Sequence, residues 1–305
     1  MRAFLLGLTM LLSAAPALAE DADAFYKQGL AYKQQGKLDE AIAALVQATQ
    51  KNPEHGMAWA SLGNLYKQKG DIPKAVDAYE RASQRIKKDP VIWSNLGMAY
   101  YRNKQIDKAL SALSTAASLD PKSAEIRANL GTIKRQKGDN KGAIVDLEAA
   151  TKLKPDEASY WSNLGVAYRA DKRMDDAIKA LEKATSLAPN DGGFAFNLAV
   201  AYRWKVEKEP DFITKAIAAY ERATQLDPAN AEAFFDLGHM YKLDHQNDKA
   251  IAALQKYIEL NKGKDAASQK KAEEEIGAMG GDVKKPTPKA PPKTAPSKMP
   301  PASKK

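Results

Sequence analysis

One recurring string constrains this chain more than any other feature. Trp59 to Tyr66 reads WASLGNLY, Trp93 to Tyr100 reads WSNLGMAY, and Trp161 to Tyr168 reads WSNLGVAY; the first two lie 34 residues apart and the third 68 further on. A unit of that length cannot bury its own apolar face, so it has to stack on copies of itself. With the Trp set at position 4, unit starts fall at Ala22, Gly56, Pro90, Ala124, Ala158, Gly192 and Ala231, giving seven units.

The register explains which side chains recur. Position 8 is Gly29, Gly63, Gly97, Gly131, Gly165, Ala199 and Gly238, and a second small residue follows at Ala41, Ala75, Ala109, Ala143, Ala177, Ala216 and Ala250. Small residues let two helices touch, because a large side chain at either place would push apart backbones packed at crystal-like density. Bulky partners surround that contact: aromatics at position 11 (Tyr32, Tyr66, Tyr100, Tyr168, Tyr202, Tyr241) and, in the second helix, Leu45, Tyr79, Leu113, Leu147, Leu181, Tyr220 and Leu254. Pro53, Pro121, Pro155, Pro189 and Pro228 end the second helices. The composition agrees with an all-helical chain, being Ala-rich with 7 Phe, 3 His and no Cys.

These residues resemble the tetratricopeptide signature, W-x2-L-G-x2-Y followed by Ala, an aromatic or Leu, Ala and Pro, across residues 22–264. The resemblance implies an all-α fold, a right-handed α-solenoid of about seven helix-turn-helix repeats over 20–264. Residues 265–280 read as a capping helix that covers the last apolar face. Some units depart from the signature. Arg127 and Lys134 replace both aromatics in the fourth unit, Pro90 comes three residues late, and the seventh has Tyr257 for Ala and lacks the Pro. In the sixth, Tyr202 to Ala216 spans 14 residues where other units span 9, through WKVEKEPDFITK. Its Trp204, Phe212 and Ile213 either form a contact lip or fold back onto the array.

The two ends differ from the array. Arg2, the apolar run Phe4 to Leu12, and Ala17 to Ala19 ahead of Glu20 read as a signal peptide over 1–19, too short to span a bilayer, which predicts an exported, periplasmic or secreted chain. Residues 281–305 are rich in Lys and Pro with little to bury, which predicts disorder with polyproline character. That tail and Arg2 carry all but +2 of the net charge of +9, so the basic pI is no evidence for nucleic-acid binding.

Catalytic chemistry finds no footing in the sequence. His239 and His245 are six apart, off one helical face, and His55 falls in a turn; no phosphate loop, metal-ligand spacing or nucleophile with a base is present. The reading is therefore no enzyme, no cofactor and no metal.

The resemblance implies that positions 2, 5, 6, 9, 12 and 13 of each first helix line a concave groove. Position 6 reads Asn95, Asn129, Asn163 and Asn197, then Asp236. The row resembles the asparagine ladder of the O-linked N-acetylglucosamine transferase repeat domain, which holds an extended peptide by its backbone. An amide suits this, having a donor and an acceptor. The other reading is that Asn merely links units. Position 12 carries Lys33, Lys67, Tyr101, Arg135, Arg169, Arg203 and Lys242, with Arg102 beside Tyr101. Cations in a last helical turn are favoured by the macrodipole, but five Arg and Lys along one edge of the central units point to an acidic partner. Phe196, Val200 and Phe235 at positions 5 and 9 read as apolar anchors. The carboxylate clamp of chaperone-binding members is absent: Asn64 and Asn95 match it, but Ala60, Glu125 and Asn129 stand where cations belong. The function these features predict is a protein-interaction scaffold of the cell envelope that binds a protein or peptide. The alternative is an envelope structural protein whose basic tail touches anionic cell-wall or membrane surfaces.

Overall fold

A computed structural model of the chain describes residues 21–283; the leader expected over 1–19 and all but the first residues of the Lys/Pro-rich tail lie outside the described residues. Among the described residues every regular element is helical, without a strand. The helices are α1 (21–34), α2 (Leu38–Lys51), α3 (Gly56–Lys69), α4 (Ile72–Arg85), α5 (Pro90–Arg102), α6 (Ile106–Leu119), α7 (Ala124–Gln136), α8 (Asn140–Leu153), α9 (Ala158–Ala170) and α10 (Met174–Leu187). They continue with α11 (Gly192–Val206), a 3-10 turn at Pro210–Phe212, α12 (Ile213–Leu226), α13 (Ala231–Leu243), α14 (Asn247–Asn261) and α15 (Ala266–Ala278). No helix of the described residues is long and apolar enough to cross a membrane.

Local chemistry sets the helix ends. Asp89, Ser123, Asp191, Asn230 and Asp265 cap α5, α7, α11, α13 and α15 by accepting backbone N–H groups. Helices α2, α6, α8, α10 and α12 each stop two residues before a proline, because the residue preceding Pro is pushed out of helical space. The tight turn inside a pair needs a left-handed residue, supplied by Gly36, Gly70 and Gly138 and, in the same register, by Lys104, Lys172 and His245.

The chain divides into two compact units at Asn190. In the first, each helix packs on the next, and alternate helices α5, α7 and α9 also touch one another. In the second, α11 to α15 pack in sequence, with the 3-10 turn resting on α11 and α12. Within each pair the small-residue contact is real and tight. A methyl group added at Gly29, Gly63, Gly97, Gly131, Gly165 or Gly238 would come within 2.5–2.7 Å of the facing Leu or Tyr side chain. Those partners, Leu45, Tyr79, Leu113, Leu147, Leu181 and Leu254, are at most 1% exposed.

Polar contacts tie one pair to the next. The indole N–H of Trp59, Trp93 and Trp161 donates to the carbonyl six residues earlier, at Pro53, Lys87 and Pro155, over 2.8–2.9 Å. The hydroxyls of Tyr100, Tyr168 and Tyr241 donate to Glu80, Glu148 and Glu221 on the preceding helix pair. The fourth pair lacks both aromatics and instead carries an ion-pair cluster inside the pair. Arg127 and Lys134 both reach Asp146 on α8, at 2.9 and 2.7 Å, and Asp146 is 2% exposed where neighbouring pairs carry Ala112 and Ala180.

The sixth-unit insertion does two things. Phe212 folds back against Tyr202 at 5.8 Å between ring centroids, with Lys205 and Lys215 over its face. Trp204 does not fold back, and remains 53% exposed near the end of α11.

Candidate functional site

Position 6 faces the same side of α5, α7 and α9, and Asn95, Asn129 and Asn163 are all half-buried there. Their surroundings differ. Asn95 accepts a bond from the Lys67 ammonium at 3.3 Å, whereas the amides of Asn129 and Asn163 bond to no other described residue. In the second unit Asn197 is likewise half-buried on α11. Asp236 behaves differently from the amides of its row: it is 4% exposed, one carboxylate oxygen holds Arg203 and the other accepts the Tyr220 hydroxyl at 2.9 Å. Both of its oxygens are thus engaged inside the protein.

The two rows read from the sequence therefore meet. A cation at position 12 of one pair reaches position 6 of the next, as Lys67 to Asn95 in the first unit and Arg203 to Asp236 in the second. The basic stripe is divided by what it touches. Arg203 is neutralised by Asp236, and Lys242 lies 3.5 Å from Glu275 of α15. In the first unit Lys67, Arg102 and Arg135 have no carboxylate within ion-pair distance among the described residues. Burial pushes the Lys67 ammonium below the ordinary lysine value and repulsion from Arg102 adds to this, with Glu125 acting in the opposite direction. Arg169 is half-buried on α9.

The apolar candidates are largely structural. Val200 is 8% exposed, and Phe196 meets Tyr220 edge-on at 6.0 Å while packing on Ala195, Ala223 and Ala233. Phe235 is half-buried against His239 and Tyr257, at 4.4 and 4.8 Å between centroids. Sequence reasoning passed over His239 as ordinary. Its Nδ1 lies 2.8 Å from the Phe235 carbonyl oxygen and its Nε2 3.1 Å from Glu275, so it helps hold α15 on α13. Asp146 was also missed, although two cations replacing two aromatics in a single unit signalled that a buried anion had to answer them. Among the described residues no cluster of His, Cys, Asp or Glu is arranged to hold a metal.

A family model of the cilia and flagella-associated protein 70 C-terminal domain, a tetratricopeptide domain, matches residues 7–224, and tetratricopeptide repeat models match 213–244 and 231–264. The chain belongs to the tetratricopeptide repeat family. No curated protein matches the sequence. Among solved tetratricopeptide structures, one from Parabacteroides merdae is similar over 83% of this chain and 99% of its own, at 17% identity and a TM-score of 0.63. The MamA protein is similar over 56% of this chain and 93% of its own, at 22% identity and a TM-score of 0.53. YrrB, described as a tetratricopeptide protein with an unusual peptide-binding site, covers 56% of this chain and 88% of its own at 25% identity and a TM-score of 0.52. Tetratricopeptide arrays bind proteins or peptides, and a protein-interaction scaffold is the function this fold supports.

Proposed function

We propose that this tetratricopeptide chain is a non-catalytic adaptor of the cell envelope that holds an extended, acidic segment of a partner protein against its first unit. The observation that carries the reading is the trio Lys67, Arg102 and Arg135, three cations on the groove side with no carboxylate within ion-pair distance among the described residues. The free amides of Asn129 and Asn163 beside them offer paired donors and acceptors to a peptide backbone. The likeness to YrrB supports peptide binding, and Arg2 with the Phe4 to Leu12 run and Ala17 to Ala19 supports export.

Crosslinking of the native chain in cells, followed by identification of the captured protein, supplies the partner. The decisive measurement is then binding kinetics of wild type and a Lys67→Glu, Arg102→Glu, Arg135→Glu variant at several salt concentrations. Charge acts over a Debye length of about 8 Å at physiological ionic strength, so the variant should associate more slowly and with weaker salt dependence. Unchanged association would refute the acidic-groove reading. The tail, with its seven lysines past Asp282, carries the second reading, contact with an anionic polymer or membrane surface. Deleting residues 284–305 should leave partner binding intact under the first reading and abolish envelope association under the second.

A further inference from the structure

The second unit contains a cavity where the basic stripe and the position-6 row end, walled in part by Arg203 and Asp236. It encloses about 510 Å³ between the end of α11, the groove side of α13 and α15. Trp204, Val206, Phe235, Met240 and Leu243 supply its apolar lining. Two of these are held open to solvent, Trp204 at 53% and Leu243 at 57% exposure, although large apolar side chains this close together gain by covering one another. The longer α11 of the sixth unit, which runs 15 residues where α5, α7, α9 and α13 run 13, carries the chain past Trp204 before it turns.

The charges around the cavity specify what enters it. On its wall Arg203 and Asp236 neutralise each other and His239 is bonded to Glu275, while the exposed carboxylate of Glu207 lies on the α11 side of the lining. At its edge Lys271 of α15 sits 5.8 Å over the Phe235 ring, with no carboxylate within ion-pair distance among the described residues. An apolar interior with a cation on its α15 side suits a large hydrophobic side chain whose neighbouring carboxylate lies toward Lys271 rather than Glu207. The volume falls within the range of roughly 300–1,000 Å³ typical of ligand sites and exceeds what one side chain needs, leaving room for flanking backbone.

We propose that this cavity is an anchor pocket that takes one large apolar side chain, aromatic or long aliphatic, from an extended partner segment, with Lys271 pairing to an adjacent carboxylate. The proposal rests on the peptide-binding reading and deepens it by naming a specificity-determining site. Arg203, neutralised by Asp236, then acts as wall rather than as a ligand contact.

The test uses the full chain and two acetylated, amidated acidic peptides that are identical apart from a central Phe or Ala flanked by Asp. Binding is followed by fluorescence anisotropy of the labelled peptides and by the indole resonance of Trp204, assigned with a Trp204→Phe variant. The Phe peptide should bind about tenfold or more tighter than the Ala peptide and should alone shift the Trp204 signal. Leu243→Glu should erase that preference, bringing the Phe peptide down to the affinity of the Ala peptide for the same variant, while helicity is retained because Leu243 lies at the surface. Lys271→Glu should weaken the Phe peptide while keeping the Trp204 shift. Equal binding of the two peptides to wild type would overturn the pocket and leave the acidic groove standing, whereas binding of neither would overturn both. A dimer that dissociates on Leu243→Glu would also overturn the proposal, by showing that a second copy covers the pocket.

Discussion

The buried Arg127–Asp146–Lys134 cluster makes an asymmetric prediction, because its members are not equally hidden. Asp146 has 3% of its side chain exposed, while Arg127 and Lys134 keep 29% and 27%. Removing both cations by Arg127→Met and Lys134→Met strands a carboxylate that cannot reach water, at a cost of about 3–5 kcal/mol. Removing the anion by Asp146→Ala leaves two cations whose partly exposed stems can swing outward, so the loss should be nearer that of charged hydrogen bonds, about 1.5–3 kcal/mol. A triple variant, Arg127→Trp, Lys134→Phe and Asp146→Ala, restores the apolar pattern of the neighbouring pairs. It should be neutral or more stable by up to about 4 kcal/mol. Phe is preferred to Tyr at 134 because Tyr100, Tyr168 and Tyr241 each donate to a Glu twenty residues earlier, and position 114 is Ser. Since a repeat array need not unfold as one step, urea denaturation should be paired with amide exchange read separately over α7 and α8. If Asp146→Ala proved more damaging than the double Met variant, burial of the anion would not govern the cluster and the reasoning would fail.

Other consequences follow from the packing and from titration. Gly131→Ala places a methyl 2.7 Å from Leu147 Cγ and 2.9 Å from the Ala143 carbonyl, so an overpacking cost of about 1–3 kcal/mol should outweigh the gain of about 1 kcal/mol in helix propensity. Gly277→Ala on α15 meets nothing within 4 Å and should stabilise by up to about 1 kcal/mol; stabilisation by both in urea melts would contradict the tight-contact argument. Burial, and then the bond to Glu148, push the Tyr168 phenol up from its ordinary 10.0 to about 12. Above pH 10 the unfolded chain therefore ionises first, so stability present below pH 10 should be lost progressively toward pH 12, and Tyr168→Phe should flatten that part of the urea-midpoint profile.

Much of the architecture was legible because it depends on residues that recur in register. Six first helices begin at Gly56, Pro90, Ala124, Ala158, Gly192 and Ala231, the same residues at which the repeat places its unit starts. Helix length, turn position and the small-residue contact are set within some 34 residues, so local pattern reaches them. The candidate site was less legible. The rows at positions 6 and 12 are readable as rows, yet their meaning depends on what each side chain meets across the next pair.

The sequence by itself determined that this chain is a stack of helical pairs in which rows of amides and cations recur in register, because periodicity fixes which residues share a face. Only the tertiary structure decided which of those groups remain available. Lys67, Arg102 and Arg135 have no carboxylate within ion-pair distance among the described residues, whereas Arg203 is consumed by Asp236, a one-atom change from the Asn at that position in the four preceding pairs. Substituting oxygen for the amide nitrogen turns a solvent-facing donor and acceptor into an anion that must be paired when buried, and a pair of that kind draws its cation out of the groove. Likewise, no local pattern states that Trp204 and Leu243, 39 residues apart in the chain, stand at the mouth of one cavity while Phe212 beside them in the insertion folds away; that follows from how α11, α13 and α15 pack.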